Sequence, residues 1–234
     1  MSDLIEGTAA SSANAAVDEA SAATAARDWP RAAALWDELR AAQPRDPHHW
    51  FKAGEAYSEA RLLEPADRIL SEAAALFPDH RWIAYRYAIV ARYAGDFGEA
   101  LRRIEKLWHA APDFWPAWVE YADALVRAGD RTEAEAIRRR AAERFPDEYW
   151  PNYAVAQLEA ERSDPRDAMR IWLTLAERFP GQPATAAALK AVADMAEYET
   201  PVAAPVPRSA DAGTRGLAER LFQRPRRRAR GRHS

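Results

Sequence analysis

The five histidines are the side chains of this sequence best suited to catalysis or metal binding, at positions 48, 49, 80, 109 and 233. A zinc site on a helix needs two ligands one turn apart, and no His-x-x-x-His spacing occurs. Cysteine is absent, which excludes disulfides, thiolate zinc ligands and a cysteine nucleophile. We therefore interpret the His48–His49 pair as a solvated helix start, and expect neither a metal nor a cofactor.

The stretch Ala-Gly-Asp-Phe-Gly at 94–98 has the composition of a phosphate-binding loop. Its first three residues recur at 128–130, so we interpret both copies as turns between helices. Carboxylates are numerous but fall on predicted helix surfaces, and no nucleophile lies beside a base. The sequence therefore predicts that the protein is not an enzyme.

The elements that carry these side chains repeat every 34 residues. Proline occurs at 44, 78, 112, 146 and 180, and alanine at 32, 66, 100, 134 and 168. A second small residue recurs at 20, 54, 88, 122 and 156. Three patterns with one period over five copies indicate a two-helix solenoid unit.

One unit, residues 47–78, shows the two helices directly. Its first half places apolar or small residues at i, i+3, i+4 and i+7, and the second half does the same after a break near 61–64. Asp46 followed by Pro47 predicts a helix start, as does Asp164 before Pro165. An aspartate also follows three later repeat prolines and is predicted to cap the next helix; these are Asp79, Asp113 and Asp147.

These residues resemble the tetratricopeptide repeat (TPR) consensus. The resemblance is carried in one repeat by Trp50, Ala53, Gly54, Tyr57, Ala66, Leu70, Ala73 and Pro78, and in another by Trp118, Tyr121, Ala122, Leu125, Ala134, Ala141 and Pro146. Repeats three and five have their tryptophan two places earlier. Repeats four and five also resemble the half-a-TPR (HAT) repeat, through the aromatic pairs Trp118/Tyr121 and Trp150/Tyr153.

The resemblance implies an all-α, right-handed superhelix of helix-turn-helix repeats. We predict repeats at 13–46, 47–80, 81–114, 115–148 and 149–182, followed by a capping helix at 183–199. Residues 1–12 are predicted to be disordered, and residues 200–234 to form a disordered basic tail.

In TPR proteins the first helix of each repeat lines a concave groove, and the resemblance implies which residues lie there. The predicted groove residues are Phe51, Trp82, Tyr85, Ile89, Arg92, Tyr93, Val119, Asp123, Arg127, Trp150, Tyr153 and Gln157. The Lys, Asn and Arg clamp with which chaperone-binding TPRs hold a terminal carboxylate is absent. An aromatic groove instead favours an apolar or amphipathic partner segment, with Trp82 and Trp150 as anchors. The alternative is that these rings pack against neighbouring helices.

The C-terminal tail differs in charge from the rest of the chain. Residues 200–234 hold nine arginines against two acids, a net charge of +7, and the chain's total of −3 leaves −10 for the remainder. The densest cluster is Arg224, Arg226, Arg227, Arg228, Arg230 and Arg232. The tail is interpreted as a solvated segment, as a contact for an acidic protein surface, or as a site for nucleic acid or anionic lipid.

The sequence therefore predicts an adaptor or scaffold that binds a protein or peptide partner in its groove. A nucleic-acid-associated repeat protein that uses the arginine tail is one alternative, and an accessory subunit of a glycan or polysaccharide enzyme is another. Neither a signal peptide nor a spanning helix is expected. The lack of cysteine fits a cytoplasmic protein, and the alanine- and arginine-rich usage fits a bacterial one.

Overall fold

The computed structural model describes the backbone of residues 2–199 and the side chains of residues 14–195. This part of the chain is all-helical and contains eleven helices. They are α1 (Ser2–Ala25), α2 (Trp29–Ala42), α3 (Pro47–Glu59), α4 (Leu63–Leu76), α5 (Arg81–Tyr93), α6 (Phe97–Ala110), α7 (Trp115–Ala128), α8 (Arg131–Arg144), α9 (Tyr149–Ala160), α10 (Pro165–Arg178) and α11 (Pro183–Glu199). Each helix packs against the next along the chain from α1 to α10, and α3 also packs against α5, as α7 does against α9. The predicted α-solenoid is confirmed.

The second helix of four of the five repeats begins at an aspartate cap. Asp28, Asp96, Asp130 and Asp164 each accept a hydrogen bond from the backbone N–H three residues later. Such a cap satisfies one of the N–H groups that the first turn leaves without a helical partner. In the second repeat Leu62 takes this place and makes no side-chain cap.

The caps of the first helices correct part of the sequence prediction. Asp46 caps α3 as expected, with its carboxylate 2.8 Å from the His48 N–H. The N-cap residues of the later first helices lie one residue beyond the predicted aspartates, at His80, Phe114 and Glu148. Asp79, Asp113 and Asp147 instead form the turn together with the proline before them, and one further residue separates each of them from the helix.

The core of the solenoid is built on small residues. The alanines that recur in the second helices, Ala32, Ala66, Ala100, Ala134 and Ala168, are all buried. The small residues of the first helices are buried too. A small side chain at a helix crossing allows the two backbones to approach closely. The turns within repeats three and four use glycines with positive φ, 81° at Gly95 and 91° at Gly129, which confirms that the Ala-Gly-Asp copies are turns.

The two ends of the described chain extend the five repeats. Helix α1 begins at Ser2, so the backbone of residues 2–12 is helical where the sequence analysis expected disorder. Helix α1 as a whole is rich in alanine, which has the highest helix propensity. At the other end α11 covers α10, since Leu189 and Val192 pack against Trp172 and Leu175. The predicted basic tail, residues 200–234, lies outside the described residues.

Candidate functional site

The two tryptophans predicted as anchors are half exposed. Trp82, at the start of α5, and Trp150, at the start of α9, each keep 45% of their surface accessible. The tryptophans at the consensus position behave differently, because Trp50 is 5% exposed and Trp118 is 6% exposed. A shift of two places along the first helix therefore moves the indole from the core to the surface.

Trp82 belongs to a fixed aromatic cluster. Its ring meets Phe114 edge-on at a centroid distance of 4.8 Å, and Tyr85 lies 5.9 Å from Trp82 and 6.0 Å from Phe114. The Arg81 guanidinium lies over Phe114 at 5.2 Å. Edge-to-face aromatic contacts are favourable beyond the area that they bury. The cluster therefore holds one face of Trp82 in place and leaves the remainder accessible.

Trp150 has an equivalent support in the fifth repeat. Its ring lies 5.0 Å from Tyr149 and 5.5 Å from Tyr153, and those two tyrosines lie 5.6 Å from each other. Tyr153 in turn contacts the buried Trp172 at 5.2 Å. The two half-exposed indoles thus sit at the same repeat position, and each packs on aromatic rings that include the equivalent tyrosines Tyr85 and Tyr153.

Ion pairs join neighbouring first helices from α3 to α7. Arg86 of α5 binds Glu55 at 2.7 Å and Glu59 at 3.0 Å, both on α3. Arg92 of α5 binds Glu120 of α7 at 2.7 Å. These side chains are largely buried, so the pairs are little screened by salt. Each charge has its partner within the protein.

Burial shifts the pKa values of two groups in this row. The pKa of Tyr85 is raised to about 12, chiefly because burial disfavours the phenolate and also because Glu120 lies nearby. Burial likewise raises the pKa of Glu120, although Arg92 opposes the shift. Tyr85 is therefore neutral at physiological pH, and the ionised form of Glu120 is held in place mainly by Arg92.

The other predicted groove residues divide into three groups. Ile89 is only 3% exposed and packs in the core, which removes it from the accessible surface. Phe51, Tyr93, Val119, Asp123 and Gln157 are half buried. Arg127 is exposed, and its Nη1 donates to the Asp123 carbonyl oxygen at 3.1 Å. The six arginines predicted in the tail lie outside the described residues.

Several of the half-buried residues are already engaged. Two guanidinium groups contact the Tyr93 ring. That of Arg61 lies 4.3 Å from the ring centroid, and that of Arg92 lies 5.0 Å from it. The Asp123 carboxylate accepts from Arg138 at 2.9 Å. Polar groups that are paired within the protein gain less from a partner, because binding must first break or share their bonds.

Sequence reasoning missed Arg86 and Glu120, the centre of the ion-pair row. Both occupy the sixth place of their repeats, one residue after the aromatic position of the groove. The signal was a charged residue at this place in three successive repeats, with Lys52 in the second repeat, Arg86 in the third and Glu120 in the fourth. This pattern becomes visible only when the sequences of adjacent first helices are aligned by repeat position.

The histidines take no part in a metal site among the described residues. His49 is 3% exposed and lies 5.8 Å from the Trp36 ring, whereas His48 is exposed. The partial desolvation of the His48 ring lowers its pKa, and the nearby charge of Lys52 adds to this effect. No group of three or more histidine and carboxylate side chains suited to a metal occurs in the described part of the chain. None of the described helices is long and apolar enough to cross a bilayer.

The family comparison matches residues 91–158 to the tetratricopeptide repeat. A thermophilic TPR protein of Thermus thermophilus is 16% identical with a TM-score of 0.62, covering 77% of this chain and 98% of that one. MamA of Desulfovibrio magneticus is 17% identical with a TM-score of 0.56, covering 73% and 97%. Yeast Tom70 is 14% identical with a TM-score of 0.64, covering 80% of this chain but 40% of its own. At these identities the similarity establishes the fold. No curated protein sequence matches the chain.

Proposed function

We propose that this chain, which carries tetratricopeptide repeats, is a non-catalytic adaptor that binds a segment of a partner protein along its first helices. The observation that carries the proposal is the pair of half-exposed tryptophans, Trp82 and Trp150, at one repeat position on two rigid aromatic supports. Tryptophans of this kind contribute a large share of the binding energy in protein interfaces.

The paired charges along the first helices indicate which kind of segment fits. Arg86 and Arg92 are neutralised by acids of the protein itself, so a charged partner would gain little by replacing them. An apolar or amphipathic segment that stacks on the indoles avoids this cost. Binding to this face is therefore expected to depend weakly on salt, unlike binding through the arginine tail.

The experiment compares capture of partners by the wild-type chain and by the double variant Trp82→Ala/Trp150→Ala, followed by affinity measurement with the purified partner. We expect affinity to fall by at least about tenfold, the effect of losing an interface anchor. The double variant Phe97→Ala/Leu173→Ala is the control, because these side chains are 47% and 48% exposed but lie on second helices.

The nucleic-acid alternative predicts a different pattern. Deletion of residues 200–234 would then abolish binding, the tryptophan variant would bind normally, and affinity would fall steeply between low and moderate salt. That result would overturn the groove proposal. Retention of partner affinity by the tryptophan variant at all salt concentrations would overturn it as well.

A further inference from the structure

A cleft of about 410 Å³ opens between α4, α5 and α6, where the second and third repeats meet. We call it the Ala84 cleft. Alanines and Pro78 form part of its surface, together with Tyr87 and Leu107. On α6 at its side, Arg102 and Arg103 form ion pairs with Glu99, which also lines the cleft. Its lining also includes Ala74, Ala84 and Lys106. It lies among residues that the tryptophan clusters of the first-helix face do not use.

The cleft exists because alanines stand where other repeats have tryptophan. Ala84 is the equivalent of Trp50, one repeat earlier, and of Trp118, one repeat later. Both of those indoles are buried between helices. Ala74 is in the same way the equivalent of Trp108, whose ring lies 5.2 Å from that of Trp118. Two indoles thus fill the next interface at the places where this one has two methyl groups.

The cleft also contains the hydrogen-bond acceptor that the indoles of the neighbouring repeats use. The Trp50 Nε1–H donates to the Pro44 carbonyl oxygen at 2.9 Å, and the Trp118 Nε1–H donates to the Pro112 carbonyl oxygen at 3.1 Å. The equivalent proline is Pro78, which lines the cleft. Within the described residues no hydrogen bond reaches the Pro78 carbonyl oxygen. The cleft therefore offers the acceptor that an indole N–H uses in the neighbouring repeats.

A cation completes the correspondence. Arg140 lies over the Trp118 ring at 5.6 Å, and its equivalent in the preceding repeat is Lys106. Lys106 lines the cleft, is exposed and makes no ion pair in the part of the chain that the structure describes. An ammonium group near an aromatic face attracts the ring and also attracts nearby carboxylates.

We propose that the Ala84 cleft binds a tryptophan side chain of a partner protein, in a segment with acidic residues beside the tryptophan. The indole N–H donates to the Pro78 carbonyl oxygen, and the ring packs on Ala74 and Ala84. Lys106 contacts the ring and the flanking carboxylates. This site is separate from the Trp82 and Trp150 clusters and does not rest on the function proposed for them.

The test uses a short peptide with one 5-fluorotryptophan between glutamates, whose binding to the full chain is followed by fluorine NMR. We expect saturable binding by the wild-type chain. Ala84→Trp places the chain's own indole in the cleft and is expected to weaken peptide binding at least about tenfold. Lys106→Ala is expected to weaken it less, and Lys190→Ala, a change at an exposed lysine of α11, is the matched control with no effect.

The thermal stability of the cleft-filling variants independently tests whether the Ala84 cleft can hold an indole. Because Trp118 occupies the corresponding place in the next repeat, Ala84→Trp is expected to raise the melting temperature by filling the cleft. If that variant does not fold, Ala74→Leu fills the opposite wall with a smaller side chain and is expected to block the peptide instead. Circular dichroism identifies which of these chains are folded.

Three results would overturn the proposal. They are unchanged peptide binding by a folded cleft-filling variant, equal binding of a control peptide with alanine in place of tryptophan, and no binding of the tryptophan peptide by the wild-type chain. Self-association of the wild-type chain that Ala84→Trp abolishes would instead assign the cleft to a second copy of this protein, and would also overturn the assignment to a different partner.

Discussion

Replacement of Gly54 by alanine tests whether the repeats are interchangeable at their small positions. The equivalent residue is alanine in the other four repeats, and helix propensity alone favours Gly54→Ala by about 1 kcal/mol. In the structure, however, a Cβ at Gly54 would lie 2.5 Å from both Cγ and Cδ2 of Leu70. Carbon atoms in contact normally stand roughly 3.5–4.0 Å apart, so Leu70 would have to move.

The size of the effect follows from the burial of Leu70. This side chain is 0% exposed and has no open space to move into, so the added methyl overpacks the α3–α4 contact at a cost of about 1–3 kcal/mol. After the gain in propensity, we expect Gly54→Ala to lower the free energy of unfolding by about 1 kcal/mol. In the other repeats the place of Leu70 is taken by Trp36, Ile104, Arg138 and Trp172, so this contact belongs to the second repeat.

A double-mutant cycle isolates this contact. Leu70→Ala alone is expected to cost about 2–5 kcal/mol, but it removes the clash, so Gly54→Ala should then stabilise by about 1 kcal/mol. Gly98→Ala is the control, because its new Cβ would meet only Asp96 Oδ1, at an ordinary 3.7 Å. Urea unfolding followed by circular dichroism and by fluorescence gives the free energies where the two transitions coincide. Stabilisation by Gly54→Ala in both backgrounds would refute the steric reasoning.

Three further predictions concern titrating groups and the capping helix. Because the pKa of Tyr85 is raised from 10 to about 12, its contribution is intact below pH 10 and is lost as the pH rises through 12; Tyr85→Phe should reduce the loss of stability between pH 9 and pH 11 by about 1 kcal/mol, measured by urea unfolding at those two pH values. The raised pKa of Glu120 means that its ionisation costs stability as the pH rises from 4.5 through the folded pKa; the stability of Glu120→Gln relative to wild type should therefore increase between pH 4 and 7, and a constant difference would contradict this. Thr185→Val leaves the Tyr149 hydroxyl without its partner at 3.0 Å, which should cost about 1 kcal/mol and speed hydrogen exchange in α11, while the exposed Thr174→Val should not.

The solenoid was predictable because its determinants are local. Prolines, buried alanines and helix-face patterns recur every 34 residues, and each repeat shows its two helices within its own sequence. The helix caps were harder to predict, because the N-cap residue depends on the backbone conformation of each residue in the turn. Asp79 and His80 are adjacent, and only the second takes the extended backbone that precedes α5.

Contacts between repeats were less predictable than contacts within them. The pairing of Arg86 with Glu55 joins residues 31 apart, three short of a full repeat, so a register comparison places them at different positions. Ile89 is a second case in which contacts between repeats were not predicted. Its repeat position implied the groove, but the approach of neighbouring helices buries it. The geometry between successive first helices decides both cases.

The displaced tryptophans link the two proposed surfaces. In the third repeat the indole stands at Trp82 and not at Ala84, which exposes one ring and opens one cleft. The fifth repeat makes the same displacement with Trp150, but Asn152 fills the consensus place and donates to the Pro146 carbonyl oxygen at 2.9 Å. Only the third repeat therefore combines a displaced indole with a proline carbonyl that accepts no hydrogen bond among the described residues. If the only role of the displaced tryptophan were to expose the Trp82 ring, an asparagine could stand at position 84. It would donate a hydrogen bond to the Pro78 carbonyl oxygen, as Asn152 does to the Pro146 carbonyl oxygen. Ala84→Asn should accordingly leave binding through Trp82 unchanged and abolish binding of the tryptophan peptide.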